Sequence, residues 1–133
     1  ERMGIMTVQE CYLRMGADYA AALRLMKSDE RILKFLTMLL RDENYTALCA
    51  AMDKRDCEQA FRAAHTIKGI SLNLCLKELA TAASLLTDAL RPGVWTQDVP
   101  ELFEQVKKQY DVMLAAVHEA VQANGGTADE TAK

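Results

Sequence analysis

Apolar residues recur along this chain at helical spacing, and little interrupts them. The clearest case is Ile32, Phe35, Leu36, Leu39 and Leu40, a stripe that fits one face of an α-helix. The chain has only two prolines and six glycines, and no run of alternating β-branched residues suggests a strand. At 133 residues it is long enough to bury one core without disulfide or metal staples. The pattern predicts an all-α fold, an antiparallel up-and-down four-helix bundle with a short N-terminal helical appendage.

Local signals place the elements. Thr7-Val8-Gln9-Glu10 is a capping box, Gly16 is a stop for a short first helix, and Asp18 caps a second that ends near Met26. These two make up the appendage, residues 1–28. The bundle spans 29–123. Asp29 precedes its first helix, Asp42-Glu43-Asn44 interrupts it, and Ala47, Leu48, Ala51 and Met52 resume the spacing. Asp56 caps the next helix, which runs to about Leu74 with Cys57, Ala60, Phe61, Ala64, Ile67, Ser71 and Leu74 on its buried stripe. A tight connection at Cys75 to Lys77 leads into Leu79, Ala82, Ala83, Leu86 and Leu90, and Pro92-Gly93 ends that helix. Pro100 suits the first turn of a long last helix carrying Leu102, Phe103, Val106, Tyr110, Met113, Leu114 and Val117. The tail, 124–133, has no stretch of apolar residues and reads as disordered. The whole is one domain, 1–133.

Composition narrows the function classes. Half of the residues are hydrophobic and 26% are charged, which is globular rather than disordered composition. A formal net charge of −3 argues against nucleic acid or an anionic membrane as the main partner and favours a protein. The four cysteines, Cys11, Cys49, Cys57 and Cys75, form no C-x-x-C pair, so no zinc or thioredoxin-like motif is legible and a reducing cytoplasm is the simplest setting. No segment approaches the ~20 apolar residues of a membrane span. Neither a G-x-x-x-x-G-K-[ST] loop nor an acidic cluster suited to Mg²⁺ is present, so the expectation is of no cofactor and no metal.

Chemistry concentrates in Ala63-Ala64-His65-Thr66-Ile67-Lys68-Gly69. Residues three and four apart on a helix are surface neighbours, so an imidazole, a cation and a patch without side chain share one small area. His65 falls away from the middle of the apolar stripe, toward Glu58, Arg62, Gly69 and Leu72, and is expected at the rim of the bundle. Imidazole, with an ordinary pKa near ~6.5, offers a neutral ring nitrogen as a nucleophile at physiological pH. Lys68 is placed to offset the charge of a phosphoryl group bound there, and Gly69 leaves the ridge flat for a protein partner. A glycine inside a helix costs ~1 kcal/mol relative to alanine, which points to a packing or access reason. An exposed histidine alone is neutral in most helices, and His118, without lysine or glycine at these offsets, reads as structural or simply exposed.

The stretch from Phe61 through His65-Thr66-Ile67-Lys68-Gly69 to Leu74, followed by Leu79 and Leu86, resembles the histidine-containing phosphotransfer (HPt) family of phosphorelays. The likeness covers about residues 29–123 in pattern and is specific over 61–91. It implies a phosphocarrier and not an independent enzyme. His65 would accept a phosphoryl group from a receiver-domain aspartate and pass it to another receiver, with Lys68 stabilising the phosphate. It further implies docking through Arg62, Gly69 and Leu72. Partners would be response-regulator receiver domains and an upstream hybrid sensor kinase, with any Mg²⁺ supplied by the receiver. The protein is expected to be monomeric, without nucleic acid or membrane insertion. Two positions depart from the family pattern. Cys75 stands where glycine usually ends the phosphoacceptor helix, and Thr87 stands where Gln or Glu usually hydrogen-bonds the non-reactive ring nitrogen. A threonine hydroxyl is a shorter, weaker acceptor, which leaves imidazole orientation to Thr87, water or another residue. Two alternatives stay open: a non-phosphorylated pseudo-HPt interaction bundle, and the phosphoacceptor domain of a chemotaxis-type sensor kinase.

Overall fold

The computed structural model describes residues 6–124. Among them the chain forms α1 Val8–Met15, α2 Tyr19–Met26, α3 Asp29–Leu40, α4 Asn44–Asp53, α5 Cys57–Asn73, α6 Lys77–Leu90 and α7 Val99–Ala123, with no strand. The disordered tail expected over 124–133 lies outside the described residues except for Asn124, whose side chain donates to the Met6 carbonyl at 3.2 Å and the Ala120 carbonyl at 2.7 Å.

Helix starts follow the capping residues. The Thr7 hydroxyl accepts from the Glu10 amide at 3.0 Å while the Glu10 carboxylate accepts from the Thr7 amide at 2.9 Å. Asp18 and Asp56 accept from the amides of Ala21 and Gln59, at 3.0 and 3.1 Å. At α3 the cap is Ser28, whose side chain accepts from the Arg31 amide, and Asp29 sits in the first turn, where a carboxylate suits the helix dipole.

Three helices end in the same way. At α1, α4 and α5 the chain turns on a left-handed residue and closes a pair of reversed hydrogen bonds. In α5 these run from the Leu76 amide to the Ser71 carbonyl at 2.9 Å and from the Cys75 amide to the Leu72 carbonyl at 3.1 Å. Glycine fills the left-handed position in α1, but Arg55 (φ 54°) and Cys75 (φ 60°) fill it in α4 and α5. A Cβ in this region crowds the following carbonyl. So α5 ends where a glycine would have ended it, at the expense of local strain.

The bundle is built from α4, α5, α6 and α7, each packed on the next, and Tyr45 of α4 closes it by stacking on Tyr110 of α7 at 3.9 Å. α3, broken from α4 at Arg41 to Glu43, packs with α1 on α7. The two N-terminal helices are more than an appendage to this core. Cys11, Tyr12, Met15 and Ala22 are buried within it, because each short helix presents its apolar face to α7, α3 or the end of α5. Tyr12, fully buried, donates its hydroxyl to the Leu74 carbonyl at 2.8 Å, and the Asp18 amide donates to the Cys75 carbonyl at 3.1 Å. Both bonds land on the turn that follows α5. All four cysteines are free thiols.

This packing affects stability in two measurable ways. Cys75→Gly relieves the left-handed strain and should raise the unfolding free energy by about 1 kcal/mol in urea titration. The second concerns alkali. Burial pushes the Cys11 thiol up from 9.0 to about 12 and the Tyr110 hydroxyl up from 10.0 to about 12. These groups hold their protons longer folded than unfolded, so their contribution is complete below the unfolded values and is lost as pH rises through the folded ones. Stability should fall steadily from about pH 9 to pH 12. Cys11→Ala should lower the whole curve and flatten this alkaline limb.

Candidate functional site

α5 is a helix with two different sides. Ala60, Ala63, Ala64, Ile67 and Ser71 are buried, and most are small, so α4 and α6 both approach closely. Ser71 satisfies its hydroxyl within the helix, donating to the Ile67 carbonyl at 2.7 Å. The opposite ridge is left to solvent: Glu58, Arg62, His65 and Leu72 are exposed, and Lys68 and Gly69 are half-buried. His65 sits midway along the 17-residue helix, far from either fraying end.

The ridge brings His65 and Lys68 together on one side of α5. Lys68 lies one turn beyond His65, at the spacing of surface neighbours, and makes no ion pair among the described residues. Its charge is therefore free to meet an anion bound at the imidazole. Arg62 is engaged, pairing with Glu58 at 2.7 Å on the exposed face. Such a pair adds little to stability and exchanges readily for a partner's carboxylate. A Cβ built on Gly69 meets nothing within 4 Å. The glycine is thus no packing requirement of this fold, and what it leaves open is space above the helix.

Beside the ridge runs a shallow groove of about 450 Å³ between α5 and α6, lined by Lys68, Leu72, Lys77, Ala80, Thr81, Ser84 and Leu85. Leu72 and Leu85 stand on its two walls with 57% and 51% of their surface exposed, high for leucine, and face any partner that reaches His65. A larger cavity, about 620 Å³, opens elsewhere, between α2, α3 and the Ile70 side of α5. Ile70 lies about 140° around the helix from His65, which separates that cavity from the ridge.

Thr87 is fully buried in α6 and its hydroxyl donates to the Ala83 carbonyl at 2.7 Å. No hydrogen bond links it to the imidazole. A threonine inside a helix finds its nearest acceptor one turn back, and the short side chain leaves little reach beyond it. The ring's neighbour is instead Phe61, at 5.8 Å between centroids with planes 9° apart. Phe61 is half-buried rather than part of the buried stripe, and the Arg91 guanidinium sits 5.3 Å from its ring centroid. Sequence reading missed both the stack and Arg91. The four-residue offset from Phe61 to His65 was a signal for the first, whereas the second depends on how α6 ends against α5. His118 is exposed on α7.

Among the described residues no three His, Cys, Asp or Glu side chains come together as a metal site requires. No helix among them is long and apolar enough to cross a membrane. The family model described as "Hpt domain" matches residues 34–123, which takes in α4 to α7 whole and most of α3. No curated protein and no solved structure matches the chain.

Gly69→Ala separates folding from access. With open space at the Cβ and a helical backbone, the substitution should raise stability by about 0.5–1 kcal/mol in urea titration. A loss of stability would mean that the glycine has a structural duty.

Proposed function

This chain belongs to the Hpt domain family, phosphocarrier modules of histidine phosphotransfer, and on that premise we propose that His65 accepts a phosphoryl group from a receiver-domain aspartate and passes it to a second receiver. The observation that carries this reading is the exposed imidazole midway along α5, beside a lysine with no ion pair among the described residues and a glycine with open space above it. In the forward step the lone pair of an unprotonated ring nitrogen attacks phosphorus. The P–O bond to the aspartate breaks, its electron pair stays on the carboxylate, and the imidazole proton leaves to water. The reverse sequence, onto another aspartate, discharges the carrier.

Each neighbour has a physical task. Lys68 offsets the charge of the phosphoramidate. Gly69 lets a receiver bring its acyl phosphate close to the ring for in-line attack. Arg62 and Leu72 form the docking surface, and Leu85 extends it across the α5–α6 groove. Receiver domains and a hybrid sensor kinase are the partners of this reading, with a monomer acting in the cytoplasm. The Thr87 hydroxyl, committed to Ala83, favours the competing reading of a pseudo-HPt bundle that binds without being phosphorylated.

Incubation with a panel of phosphorylated receiver domains, read by intact mass at neutral pH and after acid, decides between them. Wild type should take up one acid-labile phosphoryl group and His65→Gln none. Lys68→Ala should be slowed about tenfold, the size of one weakened charge-assisted contact in the transition state. A folded wild type that no receiver labels would favour the pseudo-HPt bundle.

A further inference from the structure

A surface imidazole on a helix rotates freely unless something holds it, and a freely rotating ring spends little time aimed at a docked phosphoryl group. Among the described residues His65 has no hydrogen bond, and the hydroxyl expected nearest to it is turned to Ala83. What the ring has is a stack. Its plane lies 9° from that of Phe61 with 5.8 Å between centroids, a parallel and strongly offset arrangement reached across one turn of α5. Phe61 is itself held. Its inner side packs against the core, and the Arg91 guanidinium, at the end of α6, lies 5.3 Å from its ring centroid. Arg91 is tethered in turn by the Asp88 carboxylate at 3.2 Å. Carboxylate, guanidinium, phenyl and imidazole thus follow in series from α6 to the nucleophile.

We propose that Phe61, braced by Arg91, is the positioning residue for the His65 imidazole, an aromatic shelf that orients the ring by stacking where no hydrogen bond does so. The proposal rests on the phosphocarrier reading of His65. A stack and a hydrogen bond differ in what they control. The hydrogen bond fixes the ring plane and also selects which nitrogen carries the proton. The stack fixes the plane and leaves both nitrogens to water, so the tautomer is independent of the shelf. Offset aromatic pairs favour the stacked orientation by roughly two- to tenfold. Phosphoryl uptake should carry a factor of that size.

Two readouts test this on the intact chain: the mobility and tautomer ratio of the His65 ring by NMR, and the rate of labelling by phosphoramidate, a small donor that needs no docking surface. Phe61→Leu, close in volume, should loosen the ring and slow labelling roughly three- to tenfold with the tautomer ratio unchanged. Phe61→Tyr should restore both. Arg91→Gln, at an exposed site that leaves folding intact, should loosen the ring by a smaller amount and carries the test should Phe61→Leu not fold. A ring as ordered in Phe61→Leu and Arg91→Gln as in wild type overturns the shelf, as does failure of Phe61→Tyr to rescue. A wild type that no donor labels overturns the phosphocarrier reading alone. The ring mobilities then still decide on the stack.

Discussion

The site depends on one constraint, that α5 must be buried on a narrow stripe and nowhere else. Ala60, Ala63, Ala64 and Ser71 give the stripe so little bulk that α4 and α6 close on it from both sides, and the helix needs no further cover. A wider stripe of large residues would have drawn a neighbour over the His65 ridge. The small residues therefore do two things at once: they fasten the helix and they keep His65 in water. The far end is fastened as well. Tyr12 and Asp18 both bond to the turn after Asn73, so the N-terminal helices act on the same helix that presents His65.

Much of this was legible in the sequence because it is local. Thr7, Gly16, Asp18, Asp56 and Pro100 stop or start helices through contacts within a few residues of themselves, and each stands where the pattern placed it. The exposed ridge from Arg62 to Leu72 follows from 3.6-residue periodicity alone. Other features are set by partners far along the chain. Tyr12 meets a carbonyl 62 residues away, and nothing near it announces that bond. α1 and α2 look like an appendage because two turns of helix show half a stripe each, while the surfaces that cover them belong to α3 and α7. Phe61 lies on the apolar side of the wheel, yet α6 ends beside it and leaves the ring half-covered, free to lie against His65.

The two departures from the usual Hpt pattern have different consequences. Cys75 keeps the turn that glycine normally makes, with both reversed hydrogen bonds intact, so its effect is confined to strain and stability. Thr87 changes what α6 offers the site. Its hydroxyl serves its own helix, and among the described residues none hydrogen-bonds the imidazole in its place. The Phe61 ring supplies orientation from α5 itself, and Arg91 brings α6 back into contact through a cation on that ring. Positioning by an apolar surface asks less of the tautomer and more of the ring plane, a trade that suits the phosphocarrier role proposed for His65.

The most direct measurement is a phosphorus NMR spectrum of the chain after incubation with a phosphorylated receiver domain, correlated with the assigned imidazole resonances. If His65 is the phosphoacceptor, one phosphoramidate signal should couple to the His65 ring, disappear on acidification, and be lost when unphosphorylated receiver is added and takes up the phosphoryl group. A signal on His118, or none on a folded protein with every receiver tried, would contradict that assignment.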